Sequence, residues 1–460
     1  MNRGKKRMLT KGRAATAQAK RSYNESYNRG YNQGYDLGHD QGYRNGWQAG
    51  ATSCSQAFQG TSIIIVTTND QREHLQNCIE SIYQYTPEPF EIIIIDNAST
   101  DDTESYLKSL TGKIRFKVFK SNLGFAGGTN QGLRMARGTT LLFLNNDTIV
   151  TKNWLSNMLA CLHSNEKFGL VGPTTNYISG EQLVPTTYTS TEEMHRFAEQ
   201  INRSNPSQWQ VTGRLTGFCV LMRREMFEAL GYLDEGFEIG NCEDDDYGFR
   251  ARLMGYELVI AKDTFIHHVG SVSIKALGER FEEVYGKNLD FYSKKWGESH
   301  SLLAEVQRKL NGALATMNHF YPTGVVVRGV LPQPYWMENG IKRPIEGLSE
   351  ALASSRVSQV DLRSWSLGDP IQIQEVLYRL EQLNSTATSA APLQEGELAE
   401  TPDHTVYQMK EGKMRRLNHW ALTHWLLLER GKRQISYSEL GSYEQGLPII
   451  APAVIVANNV

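Results

Sequence analysis

The sequence predicts an α/β fold in which helices cover a mostly parallel sheet. Residues 90–95 are one of several continuous apolar runs that suit buried strands. Helical spacing fills the segments between these runs, as in residues 71–85. Each run ends in a short polar cluster. Strands buried on both faces and joined by crossover helices are typical of parallel sheets, which bind ligands beyond the carboxyl ends of their strands.

The predicted elements alternate along the first half of the chain. Strands are predicted at 62–66, 90–95, 114–119, 140–144 and 258–260. Helices are predicted at 71–85, 100–110, 127–136 and 247–254. The helix at 100–110 opens with Ser, Thr and Asp, which favour helix N-termini.

Composition narrows the class of protein. The formal net charge of −2 gives no reason to expect a nucleic acid partner. No window holds the ~18–20 consecutive apolar residues of a transmembrane helix, and no apolar segment follows the basic start, so we expect neither a membrane span nor a secretory signal. The five scattered cysteines lack CxxC spacing, which favours reduced thiols in a cytoplasm.

The N-terminal region has low complexity. Residues 1–22 are basic and predict a disordered tail, or alternatively a tether to an acidic surface. In residues 23–58, aromatic residues and glycines recur every fourth position. A small-residue stripe of this kind allows close helix–helix approach, but glycine disfavours a lone helix. A flexible spacer and a self-associating or docking segment at 23–50 both remain open.

The C-terminal region predicts two small α+β repeat modules. Residues 334–345 resemble residues 406–417, and each copy is expected to turn at Asn339-Gly340 or Glu411-Gly412. The predicted partition is a connector at 301–328, modules at 329–374 and 405–452, and a linker at 375–404. Tryptophans in the modules are read as core residues rather than as carbohydrate platforms.

The polar clusters at the strand ends carry the functional hypothesis. Thr67 and Asn69 follow the first strand, and Asp96 follows the second. A carboxylate there can accept hydrogen bonds from a nucleobase or a ribose, although the cluster also suits a helix cap. The glycine-rich run at 122–132 lets backbone approach a phosphate or a sugar.

Two further clusters suit a metal ion and a base. Asn145-Asn146-Asp147 offers hard oxygen ligands for a divalent ion, or forms a simple turn. Residues 243–246 place four carboxylates in a row, which raises the pKa of at least one of them and suits a general base. His267 and His268 follow the last strand, and an imidazole is a good metal ligand.

In this order, the clusters of residues 61–297 resemble family 2 glycosyltransferases, most closely the bacterial branch with rhamnosyl- and galactofuranosyltransferases. The resemblance rests on seven motifs, which are Asp-Asn-Ala-Ser-Thr-Asp at 96–101, Asn-x-Gly-Phe-Ala-Gly-Gly-x-Asn-x-Gly at 122–132, Leu-Asn-Asn-Asp-Thr at 144–148, Thr-Gly followed by Arg-Arg-Glu at 216–225, Asp-Glu-Gly-Phe at 234–237, Glu-Asp-x-Asp at 243–246 and His-x-x-Gly at 267–270. It implies a GT-A fold for residues 60–300 and an inverting transfer from a nucleotide sugar.

The resemblance also implies roles for single residues. Asp96 would bind the nucleoside, and Asp244 would be the catalytic base. Asp147 and His267, with His268 as second choice, would hold the Mn²⁺ or Mg²⁺ ion at the diphosphate. Further contacts to the nucleotide sugar are expected from Thr67, Asn69, Asn122, Gly127, Asn130, Asn145 and Asn146, and contacts to the acceptor from Thr216, Gly217, Phe218 and Glu243. Asn145 stands where the family's metal motif has an aspartate.

The expected donor is a UDP- or dTDP-sugar, and the expected acceptor is a glycan or surface polymer. The whole arrangement is also similar to spore-maturation glycosyltransferases of Gram-positive bacteria, which implies a cytoplasmic protein close to a membrane or spore surface. A catalytically silent carbohydrate-binding or scaffold protein on the same fold is the main alternative. A nucleotidyltransferase is disfavoured, because Thr67 and Asn69 stand where such an enzyme has glycines with a Lys or Arg.

Overall fold

The computed structural model describes residues 58–69, 71–270, 278, 280–347, 352–385 and 392–459. The predicted basic tail at 1–22 and self-associating segment at 23–50 lie outside these residues, as does the repeat at 23–58 apart from Phe58. Residues 60–460 form one compact unit.

The strands of this unit are β1 Phe58–Thr67, β2 Phe90–Asp96, β3 Ile114–Val118, β4 Gly138–Leu144, β5 Thr148–Ile149, β6 Phe168–Thr174, β7 Trp209–Thr212, β8 Cys219–Arg223, β9 Glu257–Phe265, β10 His267–His268, β11 Val325–Arg328, β12 Pro334–Glu338, β13 Ile341–Glu346, β14 Ser355–Arg356, β15 Ser366–Leu367, β16 Ile371–Gln372, β17 Leu398–Glu400, β18 Val406–Lys410, β19 Lys413–Leu417 and β20 Lys432–Gln434. The α-helices are α1 Arg72–Tyr85, α2 Thr103–Ser109, α3 Gly124–Met135, α4 Trp154–Ser164, α5 Thr191–Ile201, α6 Arg224–Leu230, α7 Glu243–Leu253, α8 Arg280–Trp296, α9 Ser299–Leu310, α10 Gln359–Ser364, α11 Ile373–Asn384, α12 His419–His424 and α13 Tyr437–Gly441.

Eight strands form the large sheet, in the order β3-β2-β1-β4-β8-β6-β9-β7. Strands β1, β2 and β3 are parallel to one another, and so are β6 and β9. Strand β8 runs antiparallel to β4 and β6, and β7 runs antiparallel to β9. The predicted α/β fold with a large sheet and crossover helices is confirmed, with β7 and β8 as antiparallel members.

The main core lies between this sheet and helices α1 and α4. Ile63 and Ile65 of β1, Ile79 of α1, and Trp154 and Met158 of α4 are buried in one cluster. Each such side chain contributes about 1.5–3 kcal/mol when it leaves water. The apolar runs therefore become central strands, and their polar ends are left at one edge of the sheet.

Two helices begin earlier than the sequence predicts. Helix α3 starts at Gly124 rather than at 127, and α7 starts at Glu243 rather than at 247. The early start of α7 places all four acidic side chains in its first turn. Negative charge is favourable at a helix N-terminus because it interacts with the helix dipole.

The C-terminal region contains the same strand arrangement twice. Strands β12 and β13 form a hairpin that turns at Asn339-Gly340, and β18 and β19 form one that turns at Glu411-Gly412. All four turn residues have φ between 51° and 70°, as a type I′ turn requires. The predicted hairpins are confirmed.

Hydrogen bonds beyond the hairpins show that the two copies share one register. Gly368 donates to the Lys342 carbonyl, and Gly446 donates to the Met414 carbonyl, each at 2.9 Å. Each copy also contains one parallel strand pair, β11–β14 in the first copy and β17–β20 in the second. The similarity seen in the sequence is therefore a structural repeat.

The exact partition of this region stays a prediction. Helix α9 lies across the start of the expected connector at 301–328. The expected linker at 375–404 begins inside helix α11, where Val376 is buried, and it ends with strand β17. None of the described helices is long and apolar enough to cross a membrane.

Candidate active site

A cavity of about 910 Å³ opens where the strand ends of the large sheet meet. Ten of the residues predicted for the site line it, and these are Thr67, Asn122, Asn145, Asn146, Asp147, Thr216, Gly217, Phe218, Glu243 and Asp244. His268 lines it as well. Asn69, Asp96, Gly127, Asn130 and His267 are not among its lining residues.

Asp96 is fully buried at the end of β2. Its Oδ1 accepts a 2.9 Å hydrogen bond from the Ser99 N–H, and its Oδ2 has no hydrogen-bond partner within the described part of the chain. A buried carboxylate oxygen without a partner is costly. Oδ2 is therefore an acceptor still available to a ligand group that reaches the end of β2.

The next residue, Asn97, lines the cavity and fixes the turn before α3. Its amide donates to Asn122 Oδ1 at 2.8 Å and to the Gly124 carbonyl at 3.0 Å. Its Oδ1 accepts from the Leu123 N–H at 2.7 Å. The motif match covered Asn97, but the site prediction omitted it.

The glycines of α3 serve packing rather than ligand approach. A Cβ on Gly128 would lie 2.8 Å from Val66, and one on Gly132 would lie 2.2 Å from Ile64. A Cβ on Gly127 would lie 2.9 Å from Leu123. Gly128 and Gly132 let α3 lie close on β1, whereas Gly127 faces Leu123 at the start of its own helix. The contact from Gly127 to the nucleotide sugar stays a prediction.

Asn69 and Asn130 also bond within the protein. Asn130 is buried, donates to the Leu233 carbonyl and accepts from the Leu233 N–H, both at 2.9 Å. Asn69 is hydrogen-bonded to Thr100 through its side chain. Both amides hold separate chain segments together, and their contacts to the nucleotide sugar stay predictions.

Asp147 and His268 face each other at the wall of the cavity. Nε2 of His268 lies 3.1 Å from Oδ1 of Asp147, and its Nδ1 lies 2.8 Å from the Tyr177 carbonyl. Because a carbonyl only accepts, Nδ1 carries the proton of the neutral ring. The Nε2 lone pair then faces a carboxylate oxygen. A shared proton or a bound cation would remove the repulsion between the two atoms.

These two side chains fit a divalent ion that would take its other ligands from oxygen atoms of a bound molecule and from water. Within the described residues, no group of three or more His, Cys, Asp or Glu side chains is placed to hold a metal ion. The hydrogen bond from Nδ1 to a backbone carbonyl is the usual orienting contact of a metal-binding histidine.

Asn176 and Phe218 hold the His268 ring in place. The Asn176 side chain accepts from the His268 N–H at 2.9 Å and donates to its carbonyl at 3.0 Å. The Phe218 ring stacks on the imidazole with centroids 5.4 Å apart. Phe218, which is expected to touch the acceptor, lines the cavity and also supports the histidine.

His267 points away from Asp147. Its Nδ1 lies 2.7 Å from the Tyr188 hydroxyl, outside the residues that line the cavity. Successive side chains of a strand point to opposite faces, and the pairing of β10 with β5 sets His268 opposite Thr148. The geometry thus favours His268 over the predicted His267 as the ligand, and the choice between the two stays a prediction.

The four acids of α7 separate into different environments. Asp246 is fully buried and binds Lys295 at 2.5 Å, Arg250 at 2.8 Å and the indole N–H of Trp296 at 2.9 Å. Lys295 also binds the buried Asp234 at 2.6 Å. Asp246 thus belongs to an internal ion network rather than to the cavity.

Asp244 is the acid best placed for proton transfer. Burial and the charge of Asp245 raise its pKa to about 6, against the lowering effects of the Gly217 N–H and of Arg214. Oδ2 of Asp244 accepts from the Gly217 N–H at 2.8 Å. A carboxylate with a pKa near neutrality suits a general base.

Asp245 and Glu243 flank this base. Asp245 forms a 2.5 Å ion pair with Arg214, which lines the cavity and was absent from the site prediction. Glu243 is buried, and its Oε2 has no hydrogen-bond partner among the described residues. Burial and the charge of Asp244 raise the pKa of Glu243 well above its usual range.

The backbone before α7 is unusual. Ile239, Asn241 and Cys242 have φ values of 60°, 82° and 71°, which residues other than glycine rarely adopt. Asn288 of α8 stabilises this turn: its side chain accepts from the Glu238 N–H at 2.9 Å and donates to the carbonyls of Glu238, Gly240 and Asn241 at 3.0 Å.

Thr216 is held inside the protein. Its N–H and its hydroxyl both bond to Oε1 of Gln182, at 2.8 and 2.7 Å. The hydroxyl of Thr216 is thus already bonded to Gln182, while the N–H of its neighbour Gly217 contacts Asp244. A Cβ on Gly217 would lie 3.2 Å from the Asp244 Cβ, so the absence of a side chain permits this approach.

The sequence of this chain is similar to those of known glycosyltransferases. The model of the family described as glycosyl transferase family 2 matches residues 62–231. The chain is 29% identical over 227 residues to the O-antigen biosynthesis protein RfbC of Myxococcus xanthus, across 46% of this chain and 18% of that protein. It is 36% identical over 107 residues to the uncharacterized glycosyltransferase YfnE of Bacillus subtilis, across 23% of this chain and 27% of that protein.

A third relative is matched over more of its length. The chain is 23% identical over 295 residues to the putative glycosyltransferase EpsH of Bacillus subtilis, across 62% of this chain and 80% of that protein. The matches to RfbC and YfnE span less than a third of those proteins. The family match runs from β1 to α6 and includes the strand ends that carry Asp96 and Asp147. Residues 62–231, which are less than half of the chain, thus carry a domain of glycosyl transferase family 2.

Proposed function

We propose that this chain transfers a sugar from a UDP- or dTDP-sugar to a hydroxyl group of a glycan or surface polymer, with inversion at the anomeric carbon. One observation carries the proposal: a single cavity is lined by the Asp147–His268 pair and by Asp244. A donor diphosphate at the Asp147–His268 pair and an acceptor hydroxyl at Asp244 would meet within that cavity.

On the donor side, Asp147 and His268 would hold a Mn²⁺ or Mg²⁺ ion. Such an ion neutralises the charge that develops on the departing diphosphate. Asp96 offers Oδ2 to the nucleoside. Asn97 and Asn122, which bond to each other at 2.8 Å, keep the turn next to the nucleoside in place.

On the acceptor side, Asp244 takes the proton from the attacking hydroxyl. The acceptor oxygen forms a bond to the anomeric carbon while the bond from that carbon to the diphosphate oxygen breaks, and the electron pair leaves with the diphosphate. With a pKa of about 6, Asp244 is mostly ionised at neutral pH and able to accept this proton. The single displacement inverts the anomeric configuration.

The test of the base is Asp244→Asn. The variant keeps the size of the side chain and loses the proton acceptor, so UDP or dTDP binding measured by calorimetry should persist while sugar transfer disappears. Asp290→Asn is the matched control, because Asp290 is exposed and pairs only with Lys294 in the contacts of α8. Normal turnover by Asp244→Asn would contradict the assignment.

The test of the metal is chelation. EDTA should abolish nucleotide-sugar turnover, and added Mn²⁺ or Mg²⁺ should restore it. An unchanged rate in EDTA would remove the ion from the proposal and leave the base assignment intact.

The proposal extends to where the protein works. We place it in the cytoplasm, next to a membrane or spore surface, in the synthesis of a surface polysaccharide. Cys78, Cys161, Cys219 and Cys242 are buried free thiols, which suits a reducing compartment. Deleting residues 1–55 tests the separate idea that residues 23–50 mediate self-association: an unchanged mass by light scattering would end it.

A further inference from the structure

A second cavity, of about 1090 Å³, lies along β7. We call it the β7 groove and define it by Leu183, Gln200, Gln208, Trp209, Gln210 and Val211, which are among its lining residues. Leu183 lines the active-site cavity as well. The two cavities therefore share a wall.

Two chain segments lead from one cavity to the other. In the segment 178–184, Ile178 and Ser179 line the active-site cavity, whereas Glu181 and Val184 line the β7 groove. A hydrogen bond of 2.6 Å from Thr212 to Glu181 joins this segment to the end of β7.

In the segment 209–217, residues 209–211 line the β7 groove and residues 214, 216 and 217 line the active-site cavity. The same segment ends at Gly217, whose N–H contacts Asp244. Strand β7 itself adds a length of about 13 Å at ~3.3 Å per residue. A molecule that extends from Asp244 along these two segments would reach β7.

The chemistry of the groove suits sugars. The side-chain amides of Gln200, Gln208 and Gln210 make no hydrogen bond to another described residue, so they are free to bind hydroxyl groups. Leu183 and Val211 are 46% and 54% exposed and offer apolar contacts for the C–H faces of sugar rings.

Trp209 adds a fixed aromatic surface. Its indole N–H donates to Asp263 at 3.1 Å, and its ring is half-buried. A ring held in this way loses little freedom when it binds a ligand.

From this continuity and lining, we propose that the β7 groove binds the sugars of an elongated oligosaccharide acceptor that follow the reacting one. This inference rests on the proposed function, because it takes the acceptor to be a glycan. A peptide paired with the outer edge of β7 is the rival occupant, since β7 is the last strand of the sheet.

The experiment is a binding assay of the full-length protein on an array of immobilised oligosaccharides of two to ten sugars, with an array of unglycosylated peptides alongside. We expect binding to some of the longer oligosaccharides and at least a tenfold loss in Val211→Glu. Gln208→Ala, which adds no charge, should weaken binding in the same direction.

Leu377→Glu is the matched control. Leu377 is 50% exposed on α11, close to the exposure of Val211, and lies outside the groove. It should bind as the unaltered protein does. The inference is overturned if no oligosaccharide binds, if Val211→Glu binds as well as Leu377→Glu, or if only peptides bind.

Hydrolysis of a panel of nucleotide sugars separates this inference from the proposed function. Oligosaccharide binding without hydrolysis of any nucleotide sugar would refute the transferase proposal and leave the groove as a glycan site. Hydrolysis without oligosaccharide binding would refute the groove alone.

Discussion

The backbone N–H of Gly217 donates a 2.8 Å hydrogen bond to Oδ2 of Asp244, which ties the turn before β8 to the first turn of α7. This contact fixes one oxygen of the carboxylate. It is possible because position 217 has no side chain, as an added Cβ would lie 3.2 Å from the Asp244 Cβ. The orientation of the Asp244 carboxylate thus depends on a residue that carries no side chain.

Gly217→Ala should lower kcat by roughly tenfold while the KM for the nucleotide sugar changes little. The new methyl group shifts Asp244 by a few tenths of an ångström, and small misplacements of a reacting group are costly. Steady-state kinetics with both substrates checks this. Gly441→Ala is the control, because a Cβ there meets no atom within 4 Å. Equal kcat values for the two variants would show that the contact does not position the base.

The pH profile should have an acid limb set by Asp244. With a pKa of about 6, the carboxyl group gains a proton as the pH falls through that value, so kcat/KM should fall there. Arg214 lowers this pKa and Asp245 raises it. Arg214→Gln should therefore move the limb to higher pH, and Asp245→Asn should move it to lower pH. Shifts in the same direction would contradict the electrostatic account.

The two neighbouring histidines should differ in effect. His268→Gln should weaken Mn²⁺-dependent nucleotide binding by about tenfold or more, because it removes a side chain that contacts Asp147. His267→Gln should leave that binding nearly unchanged, since its ring bonds to Tyr188. Calorimetry with UDP in the presence and absence of Mn²⁺ measures both. The reverse order would restore His267 as the ligand.

The buried ion network of Lys295, Asp234 and Asp246 should contribute strongly to the free energy of unfolding. Lys295→Met leaves Asp234 and Asp246 buried without their shared cation, and loss of one partner from such a network costs about 3–5 kcal/mol. Lys294→Met is the neighbouring control, because Lys294 is exposed and should change the unfolding free energy little. Urea denaturation compares the two. A Lys295→Met variant as stable as its control would refute the role of the network.

The sequence predicted the strands and the strand-end residues well because carboxyl ends of neighbouring strands meet at one edge of a sheet. Thr67, Asn146 and Asp147 line one cavity for that reason. The choice between His267 and His268 depended on the pairing of β10 with β5. No local pattern reveals which of two adjacent side chains faces the cavity.

Other residues could not be found from the sequence for two reasons. Asn176 and Arg214 come from irregular segments, and Tyr285 from a helix far along the chain, so no periodic signal marks them as cavity residues. Asn130 failed in the opposite way. The motif around Asn130 predicts a contact to a ligand, yet its side-chain amide already forms hydrogen bonds with the Leu233 backbone. That contact is set by tertiary packing.

The left-handed turn at 239–242 has a consequence for the order in which the protein folds. Left-handed backbone costs roughly 1–2 kcal/mol per residue outside glycine, and the compensating hydrogen bonds come from Asn288, 47 to 50 residues further along the chain. During synthesis, helix α7 leaves the ribosome before Asn288 of α8 has been made. We therefore expect the sheet to form first and the catalytic turn to become ordered only after α8 docks, so that damage to α8 would yield a folded but inactive protein.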